Sequence, residues 1–436
     1  MAEKIANTFQ KIRKYNVWEK QPVQIGFLRN KYLDKITELI DTRLVKVLAG
    51  QRRAGKSYLL RQIMNFLISN RNVDPKNLFF VNKEFIAFDD IRTASDLEEL
   101  FAYYRKQLQV EGKIYLFLDE VQNIENWETF VNSYSQDFTG EYELFVSGSN
   151  SNLLSGELAT LLSGRYVEFE ILPFGYSEFT QVKKLPEGRE SFIEYLQTGG
   201  LPELIHLNTE ELKRNYLSSL KNTVILRDIL DRHQIKDLPL LEEIFKFLTV
   251  NIGNLTSISN IINYFKSKQK KTNYETVSSY VNFLTSTFIF HQAERYNLRG
   301  KQVLGGASKY YLNDLAFKNY LFGFLPTDIG YNLENFVYMQ LKRMGFEVKV
   351  GVLNNLEIDF IAEKSDKTIY VQTCYLLNNE NVVTREFGNL LQIKDNYEKY
   401  VVSLDDVKFS DFEGIVHLHP WELSSNSLPN LFTLNN

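Results

Sequence analysis

Gly50-Gln51-Arg52-Arg53-Ala54-Gly55-Lys56-Ser57 follows the apolar run Leu44-Val45-Lys46-Val47-Leu48-Ala49 and precedes a helical pattern carried by Leu59, Leu60, Ile63, Met64 and Leu67. The order is strand, glycine-containing loop, Lys-Ser, helix, which is the context a phosphate-binding loop requires. Gly50 and Gly55 let the backbone turn so that successive N–H groups face phosphate oxygens. The positive end of the helix that starts near Lys56 aims at the same place. Lys56 is then placed to reach the outer phosphates, and the Ser57 hydroxyl to ligate Mg²⁺. Gln51, Arg52, Arg53 and Ala54 complete the cradle, and Tyr58 continues it into the helix.

A second apolar strand, Lys113-Ile114-Tyr115-Leu116-Phe117-Leu118, ends in Asp119-Glu120. Two carboxylates at a strand's C-terminal end suit a metal and a water beside a phosphate. Asp119 contacts Mg²⁺ through its water shell and Glu120 polarises the attacking water. A third strand, Glu143-Leu144-Phe145-Val146-Ser147, ends in Gly148-Ser149-Asn150. Beyond it, Leu161 to Phe169 holds a turn and a further strand, with Arg165 in the turn. Arg165 is read in two ways: as a cation for the charge that develops on a transferring phosphoryl group, or as a surface arginine in a salt bridge.

GQRRAGKS at 50–57, LFLDEVQNI at 116–124, SGSNSNLLSGELATLLSGRYVEFEILPF at 147–174 and LENFVYMQLKRMGFEV at 333–348 resemble the AAA+ superfamily ATPases of bacteria and archaea. In these an AAA core precedes a C-terminal domain of unassigned function. The resemblance implies an α/β P-loop NTPase core with ATP and Mg²⁺ as cofactors. It also implies a polar γ-phosphate sensor at the tip of the third strand. Ser149 and Asn150 both fit, and Asn150 is preferred. Arg52-Arg53 matches the branch near the origin-recognition and STAND-type ATPases. Gly199-Gly200-Leu201-Pro202 matches a segment that recurs at the lid of such cores.

A chain of 436 residues is long enough for two to four domains with real cores. The net charge of −4 excludes nucleic-acid binding by the molecule's overall field, so such a role needs a local patch. The one cysteine, Cys374, excludes an intrachain disulfide and fits a reducing cytoplasm. Met1 to Ile5 lacks the apolar core of a signal peptide. No stretch reaches the ~18 apolar residues of a membrane span, so a cytoplasmic protein without membrane contact is expected.

From about Pro173 the pattern turns helical, and Tyr216 to Leu230 reads as a helix. Its Arg227-Asp228 is either an exposed charged pair or a link from lid to nucleotide. Helices over 241–248, 257–265 and 273–283, then strands at 289–293 and 309–312, give the order of a helix-turn-helix with a wing. Between Asn254 and Leu312 stand Lys266, Lys268, Lys270, Lys271, Arg295, Arg299, Lys301 and Lys309 against Glu275 and Glu294, and eight minus two gives +6. Duplex DNA would find a favourable field there, while a protein-docking role for the same unit stays open.

Asn332 to Arg343 reads as an amphipathic helix, followed by strands at 346–350, 355–362 and 368–375, then a helix over 387–397 and a strand at 401–404. This order resembles the PD-(D/E)XK nuclease core. Glu334 and Asp359 match its first two acidic positions. The third motif falls on Gln372-Thr373-Cys374, where glutamine is a poor Mg²⁺ ligand and cysteine supplies no fixed cation. A catalytically inactive domain that binds DNA shape or a protein is expected. The organisation read from the sequence is a P-loop AAA+ core at 1–172, a helical lid at 173–238, a winged-helix-like domain at 239–325 and a degenerate nuclease-like domain at 326–436. The function it implies is a Mg²⁺-dependent ATPase that switches its C-terminal domains. An ATP-regulated DNA-binding protein is the alternative, and a nuclease is less favoured. Self-association follows if Arg165 acts on a neighbouring copy.

Overall fold

The apolar run before the glycine loop forms β1, Val45–Ala49, which is buried along its whole length. Strands β2 (Leu78–Asn82), β3 (Ile114–Asp119), β4 (Tyr142–Gly148) and β5 (Tyr166–Glu170) complete a parallel sheet in the order β2-β3-β4-β1-β5. A parallel sheet needs apolar cover on both faces, and its strands divide their side chains accordingly. Val45, Val47, Leu116, Leu118 and Val146 enter one core, under α1 (Ala2–Arg13), α4 (Ala94–Leu108) and α5 (Trp127–Ser135). Leu48, Phe80, Phe117 and Phe145 enter the other, under α2 (Asn30–Thr37) and α3 (Lys56–Arg71). Phe117 and Phe145 stack with ring centroids 4.7 Å apart, and burying each ring contributes about 2–3 kcal/mol. Lys46, in the middle of the apolar run, is fully buried and pairs with the buried Glu143 of β4.

The computed structural model describes residues 2–19, 22–137, 139–151, 162, 164–230, 232–365, 367–378, 380–409 and 412–423. Leu161 and Ser163 of the turn before β5 lie outside them, as does 152–160 of the motif that precedes it. The chain divides into two compact units, 1–171 and 172–436.

The second unit opens with α6 (Tyr176–Lys183), α7 (Arg189–Thr198) and α8 (Glu210–Thr223). The helix expected to reach Leu230 changes at Val224 into a wider π turn that runs to Leu230. There follow α9 (Leu238–Val250), the short strand β6 (Thr256–Ser257), α10 (Ile258–Ser267), α11 (Tyr274–Ser286) and the hairpin β7 (Phe290–Asn297) and β8 (Gln302–Leu312). Asn273 caps α11, its side chain accepting from Thr276 N at 2.8 Å. Then come α12 (Ala316–Phe322), α13 (Ile329–Arg343), β9 (Glu347–Leu353), β10 (Leu356–Lys364), β11 (Lys367–Cys374), α14 (Glu380–Leu391), β12 (Glu398–Ser403) and β13 (Ile415–Leu418). The helix expected over 387–397 thus starts and stops earlier, because the chain needs the residues after Leu391 to turn into β12.

These strands form one mixed sheet in the order β13-β12-β11-β10-β9-β7-β8-β6. Strand β7 pairs in parallel with β9, Arg295 opposite Val350 through Asn297 opposite Val352. The hairpin and the C-terminal strands are therefore continuous across residue 325. Gly199 and Gly200 owe their identity to close approach in this unit. A Cβ on Gly200 would stand 2.0 Å from Phe174 O, and one on Gly199 2.0 Å from Asp314 Oδ1. Asp314 accepts from Gly200 N at 2.8 Å and from Ala316 N at 2.9 Å.

Burial raises the Asp314 carboxyl to about 6. An unfolded aspartate titrates near 3.9, so the folded state binds this proton more tightly. The contribution to stability therefore grows as pH falls from about 6 to about 4 and is lost as pH rises back through 6. Asp314→Asn is expected to flatten that window in pH-dependent denaturation. Asp314→Ala, which strands the N–H groups of Gly200, Leu201 and Ala316, is expected to cost about 2–5 kcal/mol in the same measurement at neutral pH.

Candidate functional site

The C-terminal edge of the parallel sheet gathers the sequence motifs of the first unit. Gly50 leaves β1 at φ 152°, and a Cβ there would lie 2.3 Å from Ile171 O, so only glycine fits. Arg53 and Gly55 take left-handed backbone angles, φ 66° and 99°, and the loop closes on itself through Ala54 N to Gln51 O at 3.2 Å. Helix α3 begins at Lys56, with Leu59 N donating to Gly55 O at 3.0 Å. Gln51, Arg52, Ala54 and Lys56 are buried, Gly55 and Ser57 are half-buried, and Arg53 and Tyr58 are exposed.

Lys56 Nζ donates to Gly50 O at 2.8 Å and Gln51 O at 3.1 Å and stands 3.5 Å from Glu120 Oε1. Glu120 follows β3 in a left-handed conformation, φ 53°, which costs on the order of 1–3 kcal/mol in a non-glycine residue. Ser147, fully buried in β4, holds this bend. Its Oγ accepts from Glu120 N at 3.2 Å and donates to Asp119 Oδ1. Asp119 Oδ2 accepts from Asn82 Nδ2 at 2.6 Å, and the carboxylate also bonds to Ser57.

Burial raises the Asp119 carboxyl to about 6, and the Glu120 charge adds to the rise, while Ser147, Ser57 and Lys56 oppose it. Burial pushes Glu120 up as well, but Lys56, Arg52, Gln122 and Ser149 outweigh it and hold that carboxyl below the usual glutamate range. The two neighbouring acids are thus driven apart. Glu120 is the stronger acid and is ionised at neutral pH. The Ser57 hydroxyl and the Asp119 carboxylate share one spot and are both hard oxygen donors. That set fits Mg²⁺, which keeps waters and takes few protein ligands.

The structure brings Ser149 and Asn150 to the same edge, just past β4, both fully buried. It does not bring Arg165 there. Arg165 O accepts from Val45 N at 2.9 Å, so the residue sits where β1 begins. The loop lies where β1 ends, roughly 13 Å along the strand at ~3.3 Å per residue. Arg165 Nε turns back to Leu162 O at 3.1 Å.

Four positions in this unit were not singled out by sequence reasoning. Asn82 and Ser147 grip Asp119 from the two flanking strands. Arg29, almost fully buried, donates from Nη1 to Ala54 O at 3.2 Å and so ties the segment before β1 to the loop. Gln62 of α3 holds that segment from the other side, donating to Ile25 O at 2.8 Å and Phe27 O at 2.7 Å. Asn82 carried a signal in principle, as a polar residue closing an apolar strand beside the one that ends in Asp119.

In the second unit Glu334 of α13 and Asp359 of β10 both come within 4.0 Å of Lys309 Nζ. Lys309 is buried between them and so leaves the basic set counted in 254–312. The remaining basic residues divide. Lys266, Lys268 and Lys271 are exposed around the turn from α10 to α11, Lys270 pairs with Glu243, Arg295 is half-buried in β7, and Arg299 and Lys301 are exposed at the tip of the β7–β8 hairpin. Arg227 is exposed and Asp228 is buried.

Ser403, His417 and Asp405 also meet, in an order that looks like a nucleophile constellation. The hydrogen bonds run the wrong way for one. Phe409 N donates to His417 Nδ1 at 3.0 Å, which leaves the ring proton on Nε2, 2.7 Å from Ser403 Oγ. Ser403 in turn donates to Asp405 Oδ2 at 2.6 Å. An imidazole that donates to the hydroxyl cannot take its proton, so the trio ties β12 to β13 and activates nothing.

Residues 42–180 match the family model described as an AAA domain, and residues 189–328 match a domain of unknown function, DUF8612. An uncharacterized protein of Haemophilus influenzae is 35% identical over 401 residues, covering 91% of this chain and 98% of that one. The uncharacterized protein MJ1544 of Methanocaldococcus jannaschii is 29% identical over 406 residues, covering 87% and 88%. Among solved structures, the Walker-type ATPase PABY2304 of Pyrococcus abyssi is similar at a TM-score of 0.47 with 17% identity, over 68% of this chain and 96% of that one. No described helix is long and apolar enough to cross a membrane. The chain belongs to the same family as the Haemophilus influenzae protein, and its residues 42–180 form an AAA domain.

Proposed function

We propose that the AAA domain binds ATP with Mg²⁺ and hydrolyses it, and that the nucleotide state switches the C-terminal unit. The observation that carries this reading is the meeting of Lys56, Ser57, Asp119 and Glu120, from two separate motifs, at one edge of one sheet. The backbone of 50–55 and the N-terminus of α3 receive the phosphates. Ser57 and Asp119 are the residues that would hold Mg²⁺, which when bound would supply charge for phosphoryl transfer.

Lys56 now spends its donors on two loop carbonyls and lies beside Glu120. An arriving γ-phosphate competes for that ammonium. Once Lys56 turns to the phosphate, Glu120 is released to orient water, so substrate binding itself uncovers the base. Asn150 senses the γ-phosphate from the tip of β4. Arg165, at the far edge of its own sheet, serves a nucleotide only if it reaches one on a second copy of the chain. The test is ATP binding and phosphate release by the full chain, with and without Mg²⁺. Absence of nucleotide binding ends this reading.

A second reading, ATP-controlled binding of duplex DNA, rests on the exposed lysines between α10 and α11 and on Arg299 and Lys301 at the hairpin tip. The order helix, strand, helix, helix, hairpin over 239–325 supports a winged-helix assignment with α11 as the groove helix. The elements from α13 to β12 likewise support a nuclease-like fold without nuclease chemistry, after a helical lid at 173–238. Neutralising Lys266, Lys268, Lys270 and Lys271 together is expected to weaken duplex binding at least tenfold at low salt and to flatten its salt dependence. Equal binding by the wild-type and neutralised chains favours a protein partner for this surface.

A further inference from the structure

The β7–β8 hairpin is joined to the C-terminal strands by more than backbone pairing. Lys309, on β8, sends a buried ammonium into a cluster of three carboxylates. Its Nζ lies 2.9 Å from Glu334 Oε1, 2.8 Å from Glu357 Oε1 and 4.0 Å from Asp359 Oδ1. The first carboxylate comes from α13 and the other two from β10. Tyr311, two residues along and on the same face of β8, donates to Glu334 Oε1 at 2.7 Å. Asp359 Oδ2 is held by Thr373 N at 2.7 Å and Thr373 Oγ1 at 2.8 Å, which leaves Oδ1 towards the ammonium. Gln372 Oε1 takes Asp359 N at 3.3 Å.

Glu334 and Asp359 converge largely away from water, with Glu357 at their exposed rim, and the inner two require a cation because burying them unpaired is strongly unfavourable. Two kinds of cation can answer. A divalent metal sits 2.0–2.6 Å from its oxygens, and an ammonium about 2.8–2.9 Å. Glu334 and Glu357 lie at the second spacing from Lys309 Nζ, with Asp359 Oδ1 farther out at 4.0 Å, and this cation is covalently part of the chain.

We infer that Lys309 is the resident cation of this cluster, filling the place of a divalent metal and clasping the β7–β8 hairpin to α13 and β10. This goes beyond the ATPase reading and does not depend on it. Glu334 and Asp359 stand at positions that resemble metal-binding ones, but a tethered monovalent charge gives no open coordination site and no activated water. It gives a fixed hairpin instead. Arg299 and Lys301 at the hairpin tip then keep one orientation relative to the C-terminal strands, whatever the divalent metal concentration.

The test is thermal unfolding of the full chain in EDTA and in Mn²⁺, with no nucleotide present. The wild-type chain is expected to show no Mn²⁺ shift that depends on Asp359. Lys309→Met is expected to unfold about 5–15 °C lower in EDTA and to regain part of that loss in Mn²⁺. Adding Asp359→Asn to Lys309→Met should remove the Mn²⁺ response and raise stability in EDTA, because one unpaired charge is gone. An Mn²⁺ shift in the wild-type chain that Asp359→Asn abolishes overturns the inference, since the native cluster then takes a metal. A folded Lys309→Met chain without an Asp359-dependent Mn²⁺ response overturns it too. Should Lys309→Met not fold, the double variant decides: recovery of the fold supports the charge pairing, and failure to recover counts against it.

Discussion

Lys56→Ala should abolish measurable ATP binding, raising the dissociation constant at least a hundredfold. The ammonium is 4% exposed and is surrounded by Gly50 O, Gln51 O and Glu120 Oε1. It is a cation already desolvated and aimed at the loop, so it meets a phosphate without a fresh desolvation cost. Hydrogen bonds between charged partners are about twice as strong as neutral ones. Two further terms act in the same direction. Without the ammonium, Glu120 is a buried carboxylate facing the place where phosphate arrives, and like charges repel. Two loop carbonyls also lose their donor, so the cradle loses its shape. The variant's fold is followed separately by circular dichroism melting, because the same loss destabilises the apo chain by about 2–4 kcal/mol. Fluorescent-nucleotide titration that gives wild-type affinity in a folded Lys56→Ala chain removes the loop from nucleotide binding altogether.

The loop and the Asp119-Glu120 pair were legible because each is a short pattern with its own flanking strand or helix. A glycine that leaves an apolar strand, or a carboxylate that ends one, announces itself within eight residues. What the sequence hid depends on which strands become neighbours. Asn82 stands directly opposite Asp119 in the β2–β3 register, and Ser147 reaches Asp119 from β4 on the other side. Neither contact exists until the order β2-β3-β4-β1 is known. Arg165 shows the converse case. In a parallel sheet a residue just before a strand lies on the edge opposite a loop that follows one, so its distance from Gly50 was implicit in the strand directions. Lys309 reads as one more basic residue of its segment, because alternation along β8 puts it beside Tyr311 without saying what that face meets. The continuity of the hairpin with β9 was equally invisible, since pairing between Arg295 and Val350 joins residues far apart in the chain.

Glu120→Gln separates binding from turnover, and the environment of Glu120 says in which direction. The substitution keeps the side chain's size and leaves an oxygen to accept from Gln122 Nε2, as Glu120 Oε2 does now. It removes the charge that competes with phosphate for Lys56. ATP affinity is therefore expected to stay within about threefold of the wild-type value or to tighten. Turnover depends on a base that is ionised and close to water. Lys56, Arg52, Gln122 and Ser149 keep Glu120 ionised against its burial, and an amide accepts no proton. A general base of this kind contributes roughly 10²–10⁴ in rate, so phosphate release should fall at least a hundredfold. The Asp119 carboxyl should also drop from about 6, because part of its rise comes from the Glu120 charge. Mg²⁺ binding is thereby favoured, and the variant should hold Mg·ATP as a stable complex. Single-turnover phosphate release, measured beside nucleotide retention on a desalting column, reads both quantities. Retained ATP with lost turnover identifies Glu120 as the group that prepares water. Wild-type turnover in the variant assigns that step elsewhere and leaves Glu120 as a counter-ion for Lys56.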